Sequence, residues 1–233
     1  MICPAPGAMD VGAMNKGNVM FANENALAVP LWINGHAYLT VAQAFQDVRN
    51  PVSGEVLRRT PLCGVSEVRR ALESAQTAAG VWAVMPAPRR IALIAAVGEK
   101  LAVYAGHFAS LIVEESGMDS DAANAEVAGA VTLLRGKWVE SGTESAAGNA
   151  SAVVAVVGSI ANPLFGVLRQ AVPVLLSGVA VIVRPSPETP AALFALAELT
   201  GRCGFPPGIF NLLHGGEAVL DALRSEGIRL LFA

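Results

Sequence analysis

Ala152-Val153-Val154-Ala155-Val156-Val157, Val179-Ala180-Val181-Ile182-Val183, Ile209-Phe210-Asn211-Leu212-Leu213 and the run from Ile228 to Phe232 decide the fold. Each is a short apolar block rich in β-branched residues without polar alternation, the pattern of a strand buried on both faces. Helix-length segments, Leu164 to Ser177 and Ala191 to Cys203, separate the first three, and the strand starts lie 27 and 30 residues apart. That is the length of a strand–helix–strand unit. Right-handed crossovers between such units give a parallel, doubly wound α/β sheet, whose ligands bind outside the carboxyl ends of the strands. Those ends are Gly158-Ser159-Ile160-Ala161-Asn162-Pro163, Arg184-Pro185-Ser186-Pro187-Glu188 and His214-Gly215-Gly216-Glu217.

Upstream the grammar differs. Leu31-Trp32-Ile33-Asn34-Gly35 reads as a short strand entering a turn. Phe45 to Asn50 and Glu55 to Thr60 flank Pro51-Val52-Ser53-Gly54, which has the residues of a hairpin turn. Ser66 is placed to cap a helix running to about Ala79. Pro88 suits the first turn of a longer helix and Gly117 its end. Leu93, Val97, Leu101, Tyr104, Phe108 and Leu111 form one apolar stripe along that helix, with Lys100, His107 and Glu114 on a solvated face opposite. A third helix is expected over Ala122 to Glu140, and Met1 to Phe21 reads as a loose tail.

Composition excludes several classes. Hydrophobic residues make up 53% of the 233 and charged residues 15%, too apolar for a disordered chain. The balance of 16 Lys+Arg against 19 Asp+Glu contains no basic run to neutralise a phosphate backbone, which argues against nucleic acid. So few charges also point to a surface partly covered by something else, a protein partner or a second copy on an exposed apolar face. Cys3, Cys63 and Cys203 cannot form a disulfide framework, and no spacing suggests a metal, so a reduced, cytoplasmic setting is expected. Ser145 to Leu168 carries no charge, but Gly148, Asn149, Gly158, Asn162 and Pro163 interrupt it, so no membrane span is expected.

At the strand ends, Arg184 and Glu188 together are suited to grip a ribose and a neighbouring phosphate. A rim salt bridge for Arg184 and a helix N-terminal position for Glu188 are equally open. Gly158, Gly215 and Gly216 suit either close approach to a ligand or tight turns. There is no G-x-G-x-x-G fingerprint. His214 reads as a loop hydrogen-bonder and Cys203 as a packing cysteine, since no base lies near it in sequence.

Several ordered motifs carry a resemblance. Trp32-Ile33-Asn34-Gly35, Asn50-Pro51-Val52-Ser53-Gly54-Glu55-Val56, Trp82 with Pro88-Arg89-Arg90, Glu115-Ser116-Gly117-Met118 and Glu126-Val127 come first. Ser177-Gly178, Arg184-Pro185-Ser186-Pro187-Glu188-Thr189-Pro190 and Gly204-Phe205-Pro206-Pro207-Gly208-Ile209-Phe210-Asn211 follow. As a set, over Leu31 to Ala233, the chain resembles the aldehyde dehydrogenase superfamily. His214-Gly215 with Glu217-Ala218-Val219 is similar to its methylmalonate-semialdehyde branch.

The resemblance implies a Rossmann-type parallel sheet flanked by helices, with an N-terminal β-hairpin, that binds NAD or NADP without a glycine fingerprint. Cofactor contacts carry over to Ser159, Ile160, Arg184, Ser186, Glu188, Gly215, Gly216 and Glu217. Arg184 stands where the family usually has a lysine at the adenosine ribose, and Glu188 one step after the usual ribose-binding glutamate. The oxyanion asparagine aligns with Ala161, leaving its neighbour Asn162 as the one catalytic candidate. The sequence reaches Leu231-Phe232-Ala233 without the family's nucleophilic cysteine or general-base glutamate. The expectation is therefore a truncated or vestigial enzyme with the catalytic domain missing, inactive alone, its aldehyde substrate relevant only in a full-length context. The alternative is a non-catalytic module of the same fold that docks a partner protein. Its parts are expected to be a tail at 1–28, the hairpin and helical part at 29–150, and the βαβαβ part at 151–233.

Overall fold

The computed structural model describes residues 26–40, 44–136, 138 and 152–233. The expected tail over Met1 to Phe21 and the boundary at residue 150 lie outside the described residues, whereas the third helix, expected to run from Ala122 to Glu140, spans Ser120–Leu134 and ends with Arg135 as its C-cap.

The apolar blocks form β6 (Val153–Val157), β7 (Ala180–Arg184), β8 (Phe210–Leu212) and β9 (Arg229–Phe232). They are mutually parallel in the order β8-β7-β6-β9, and every residue of β6, β7 and β8 is buried. Double-sided burial is why these strands lack alternation. They are joined by α5 (Phe165–Leu176), α6 (Ala191–Arg202) and α7 (Glu217–Ser225). The chain steps from β6 through β7 to β8 on one side, then returns by α7 to place β9 on the other side of β6. The strand order reverses beside β6, and in open parallel sheets the crevice that takes ligands lies outside the carboxyl ends of the strands at such a switch.

The N-terminal residues complete this sheet rather than standing apart from it. β2 (Leu31–Ile33) and β3 (His36–Tyr38) form a hairpin through Asn34 (φ 55) and Gly35 (φ 76), a turn that needs left-handed backbone at both positions. β2 then pairs antiparallel with β8, Trp32 opposite Leu212, and Asn211 Oδ1 accepts from Asn34 N at 3.1 Å. The six-stranded sheet is thus mixed, with an antiparallel edge on a parallel core. A second, three-stranded sheet joins β1 (Leu27–Ala28), β4 (Phe45–Arg49) and β5 (Val56–Pro61), with β5 central. Leu27 and Ala28, expected to fall in the tail at 1–28, form a strand.

Helices cover both faces. α1 (Val65–Val84) contacts β6, β7 and β8 together with α7. α5 and α6 lie on the other face, as right-handed crossovers demand, and α2 (Ala87–Val103), α3 (Ala105–Ser116) and α4 (Ser120–Leu134) pack over them. α1 starts before Ser66, because Glu67 folds back to accept from the Gly64 N–H at 2.9 Å and takes over the capping role. The expected long helix from Pro88 to Gly117 is two helices, broken at Tyr104 (φ −101, ψ 17), which is exposed rather than part of the stripe. Gly117 ends α3 in the left-handed conformation (φ 71). Asp119 caps α4 by accepting from Ala122 N at 2.8 Å.

Two motif residues fix the far end of α5. Trp82, fully buried, donates from Nε1 to the Leu175 carbonyl at 2.8 Å. Arg90 donates from Nε to the Leu176 carbonyl at 3.0 Å and from Nη1 to Trp82 and Met85 carbonyls. Carbonyls without helical partners at that terminus gain donors from two other helices. Among the described residues no single helix is long and apolar enough to cross a membrane.

Candidate functional site

The crevice end of the sheet gathers the segments that follow β6, β7 and β8. Gly158 N donates to the Arg184 carbonyl at 2.7 Å, extending the β6–β7 pairing by one step. A Cβ on Gly158 would meet Ser186 N at 3.1 Å and Pro185 Cα at 3.3 Å. Glycine here serves the packing of two loops, not the approach of a ligand. Gly215 is similar: its φ of 134 and a Cβ position 2.7 Å from Val219 Cγ2 make it a requirement of the turn into α7. Only at Gly216, of these three, would a Cβ enter open space.

Arg184 is 8% exposed and donates from Nε to the Gly215 carbonyl at 2.8 Å, tying the end of β7 to the loop after β8. Burial lowers its pKa, and the carboxylates of Glu188 and Glu217 pull it back up. No ion pair joins Arg184 to either one among the described residues, so the rim salt bridge left open by the sequence does not form. Ser186, buried, donates its hydroxyl to Glu188 Oε2 and orients that exposed carboxylate. The result is an electrostatic pattern: a buried cation between two loops, with Glu188 and Glu217 standing exposed beside it.

His214 lies behind this surface. It is 3% exposed, its Nε2 contacts the Pro30 carbonyl at 2.9 Å, and burial holds it down at about 4. It is neutral near pH 7 and anchors a loop, so it is no acid–base group for the crevice.

Ser159 is half-buried and its hydroxyl accepts from Ala161 N at 3.2 Å. Ile160 is 43% exposed, and Asn162 is exposed one turn before α5, against Gly166. The eight cofactor candidates therefore fall at one end of the sheet, in three loops. Asn162 lies in the loop after β6, on the β9 side, with Ala233 also packed against Gly166.

Neither described cysteine offers a thiolate to the site, although the Cys63 backbone lies beside Gly215 and its N–H donates to the His214 carbonyl at 3.4 Å. Cys63 is buried and burial pushes its thiol up to about 12; Cys203 caps α6 at the opposite end of that helix, and burial raises it too. A thiol so protonated is a poor nucleophile. Among the described residues no cluster of His, Cys, Asp and Glu is placed to hold a metal ion.

Two motif carboxylates, Glu126 and Glu115, lie behind the loops and hold the starts of α5 and α6. Glu126 accepts from Phe165 N at 3.2 Å, at the start of α5, while its Oε1 is buried without a hydrogen-bond partner among the described residues. Glu115 accepts from Ala191 N at 3.0 Å, at the start of α6, and from Arg58 Nη1 at 3.1 Å. The signal for both was a lone acid on an otherwise apolar helix face: Glu115 follows Leu111 and Ile112 by one turn, and Glu126 precedes Ala130 by one turn.

Comparison with known proteins agrees with this architecture. The model of the aldehyde dehydrogenase family matches residues 38–231. Malonate-semialdehyde dehydrogenase of Listeria innocua is 32% identical over 213 residues, 85% of this chain and 44% of that protein. Methylmalonate-semialdehyde dehydrogenase of Oceanimonas doudoroffii superposes with a TM-score of 0.76 at 23% identity, covering 84% of this chain and 43% of that one. Aldehyde dehydrogenase C of Pseudomonas syringae, solved with NAD+ and octanal, gives 0.74 at 20% identity, covering 87% and 49%. The chain spans less than half the length of these relatives. With the motifs, the mixed sheet and the match over most of its residues in agreement, the chain belongs to the aldehyde dehydrogenase family.

Proposed function

We propose that this chain is the dinucleotide-binding half of an NAD(P)-dependent aldehyde dehydrogenase. The observation that carries the reading is the grouping of Glu188, Arg184 and Gly216-Glu217 at the carboxyl ends of the neighbouring strands β7 and β8. Glu188, oriented by Ser186, is placed to accept from the adenosine ribose hydroxyls. Arg184, held by the Gly215 carbonyl, supplies positive charge for the adjoining phosphate. Gly215, Gly216 and Glu217 form the rim on the β8 side, and Ser159 and Ile160 the rim on the β6 side. NAD or NADP bound there supplies the hydride acceptor for aldehyde oxidation. The relatives' names point to a semialdehyde of a short dicarboxylic acid as the substrate of the complete enzyme.

This polypeptide by itself is proposed to be inactive. Neither Cys63 nor Cys203 is ionised or placed for attack, and Asn162 alone, as oxyanion donor, has no partner nucleophile. Calorimetry with NAD+ tests the binding: saturable heat is expected from the native chain, and Glu188→Ala should weaken it about tenfold, the size of a lost hydrogen bond to a charged group. No heat, or a Glu188→Ala titration like the native one, refutes the reading. NADH formation from NAD+ and malonate semialdehyde by the chain alone refutes the inactivity.

One observation favours a second reading, a docking module. Ile160 and Phe232, 43% and 59% exposed, stand at the same end of the sheet, apolar surface that a protein partner would cover. That reading predicts stable assembly with the partner and no heat from NAD+.

A further inference from the structure

We infer that Glu115 is a positioning residue for the cofactor site: its carboxylate caps α6 from a different helix and so fixes the turn that carries Glu188. The inference rests on the cofactor reading above.

α6 begins three residues after Glu188. Its own N-cap is Pro190, which has no side chain able to accept a hydrogen bond. A helix start leaves backbone N–H groups without partners, and a nearby anion is favourable there. Glu115 fills that need from α3, its side chain 1% exposed, one oxygen on Ala191 N and the other on Arg58 of β5. On the near side, the turn is closed by Thr189 N donating to the Ser186 carbonyl at 3.1 Å, with Ser186 also holding the Glu188 carboxylate. Glu188 therefore sits on a short segment pinned at both ends, and the distal pin is Glu115.

The charged groups that face Glu115 are Arg58 from β5 and Glu114 from its own helix; α2, α4 and α6 bring no other titrating side chain onto it among the described residues. Burial raises the Glu115 carboxyl to about 7, against the pull of Ala191 N and Arg58. Ionised, it accepts from both donors. Protonated, one of its oxygens carries a hydrogen and accepts more weakly, so the hold on one of the two donors loosens. Glu126 does the corresponding work at α5, at the other side of the crevice, and serves as the control.

Hydrogen exchange by mass spectrometry, with NAD+ calorimetry between about pH 6 and about pH 8, tests this on the native chain, Glu115→Ala, Glu115→Gln and Glu126→Gln. In Glu115→Ala, exchange over residues 191–194 should rise about fivefold, the size of a lost cap, and NAD+ affinity should fall with it. Glu115→Gln, which keeps an acceptor oxygen, should restore slow exchange and bind NAD+ with a flat pH profile, while the native chain weakens toward pH 6. His214, held at about 4, does not titrate in that window. Glu126→Gln should leave residues 191–194 unchanged. Unchanged exchange in Glu115→Ala overturns the inference. So do matching pH profiles for the native chain and Glu115→Gln, a comparison that survives even if Glu115→Ala fails to fold. The expected exchange response with no NAD+ heat from the native chain sinks the cofactor reading and leaves the α6 cap supported.

Discussion

Replacing His214 with glutamine and, separately, Glu115 with glutamine is expected to tilt the pH profile of stability in opposite directions. His214 is 3% exposed, and burial lowers it from 6.5 to about 4. Unfolding frees it to take up a proton between those values. The stability it contributes is complete above 6.5 and is lost as pH falls toward 4. Glu115 is 2% exposed and raised from 4.5 to about 7, so here the folded chain holds the proton longer. Its contribution is complete below 4.5 and is lost as pH rises toward 7. Each displacement is worth about 3 kcal/mol across its window, at about 1.4 kcal/mol per pH unit. Where the windows overlap, from 4.5 to 6.5, the two slopes cancel in the native chain. Urea unfolding at a series of pH values separates them. Native stability minus that of His214→Gln should fall on acidification, and native minus Glu115→Gln should fall toward neutrality. The double variant should run parallel to the native profile through the overlap. Differences that stay constant with pH would refute the burial argument for both groups.

Two further outcomes are expected. Trp82→Phe removes the donor to the Leu175 carbonyl and part of the stack on Phe205, and should cost about 2–4 kcal/mol in urea unfolding; an unshifted midpoint would contradict the role given to the end of α5. Gly208→Ala places a Cβ 2.5 Å from the Ser74 carbonyl oxygen at φ 93, and should lower stability by more than about 2 kcal/mol; a soluble variant with native melting temperature would show that the loop relaxes freely.

The parallel core was legible because its strands are buried on both faces, which leaves long apolar runs such as Val153–Val157 that no surface element tolerates. α7 was not, since it is short, starts at a glycine and carries Glu217, Asp221 and Arg224 on an exposed face. The break at Tyr104 was hidden by a stripe that keeps helical spacing straight through it, with Phe108 and Leu111 still turned inward. At the site, Ser186 and Glu188 were within reach because their interaction is local, two residues apart. The engagement of Arg184 with Gly215, 31 residues on, and of Glu115 with Ala191, 76 residues on, depends on how layers stack. No periodicity in one segment encodes that. Gly158 and Gly215 were recognisable as special positions, but whether a glycine makes room for a ligand or for its own chain is decided by the neighbour across the gap.

The hairpin of β2 and β3 closes the sheet against β8, and His214 reaches the Pro30 carbonyl across 184 positions of chain. On the ribosome, therefore, the first strands emerge with no surface to join. At ordinary elongation speeds they wait roughly 10–40 s for their neighbour to be synthesised. Their edges stay open meanwhile, available to chaperones or to the same segment of another nascent chain. The slowest and most error-prone moment in assembling this sheet is expected to be the late pairing of β2 with β8.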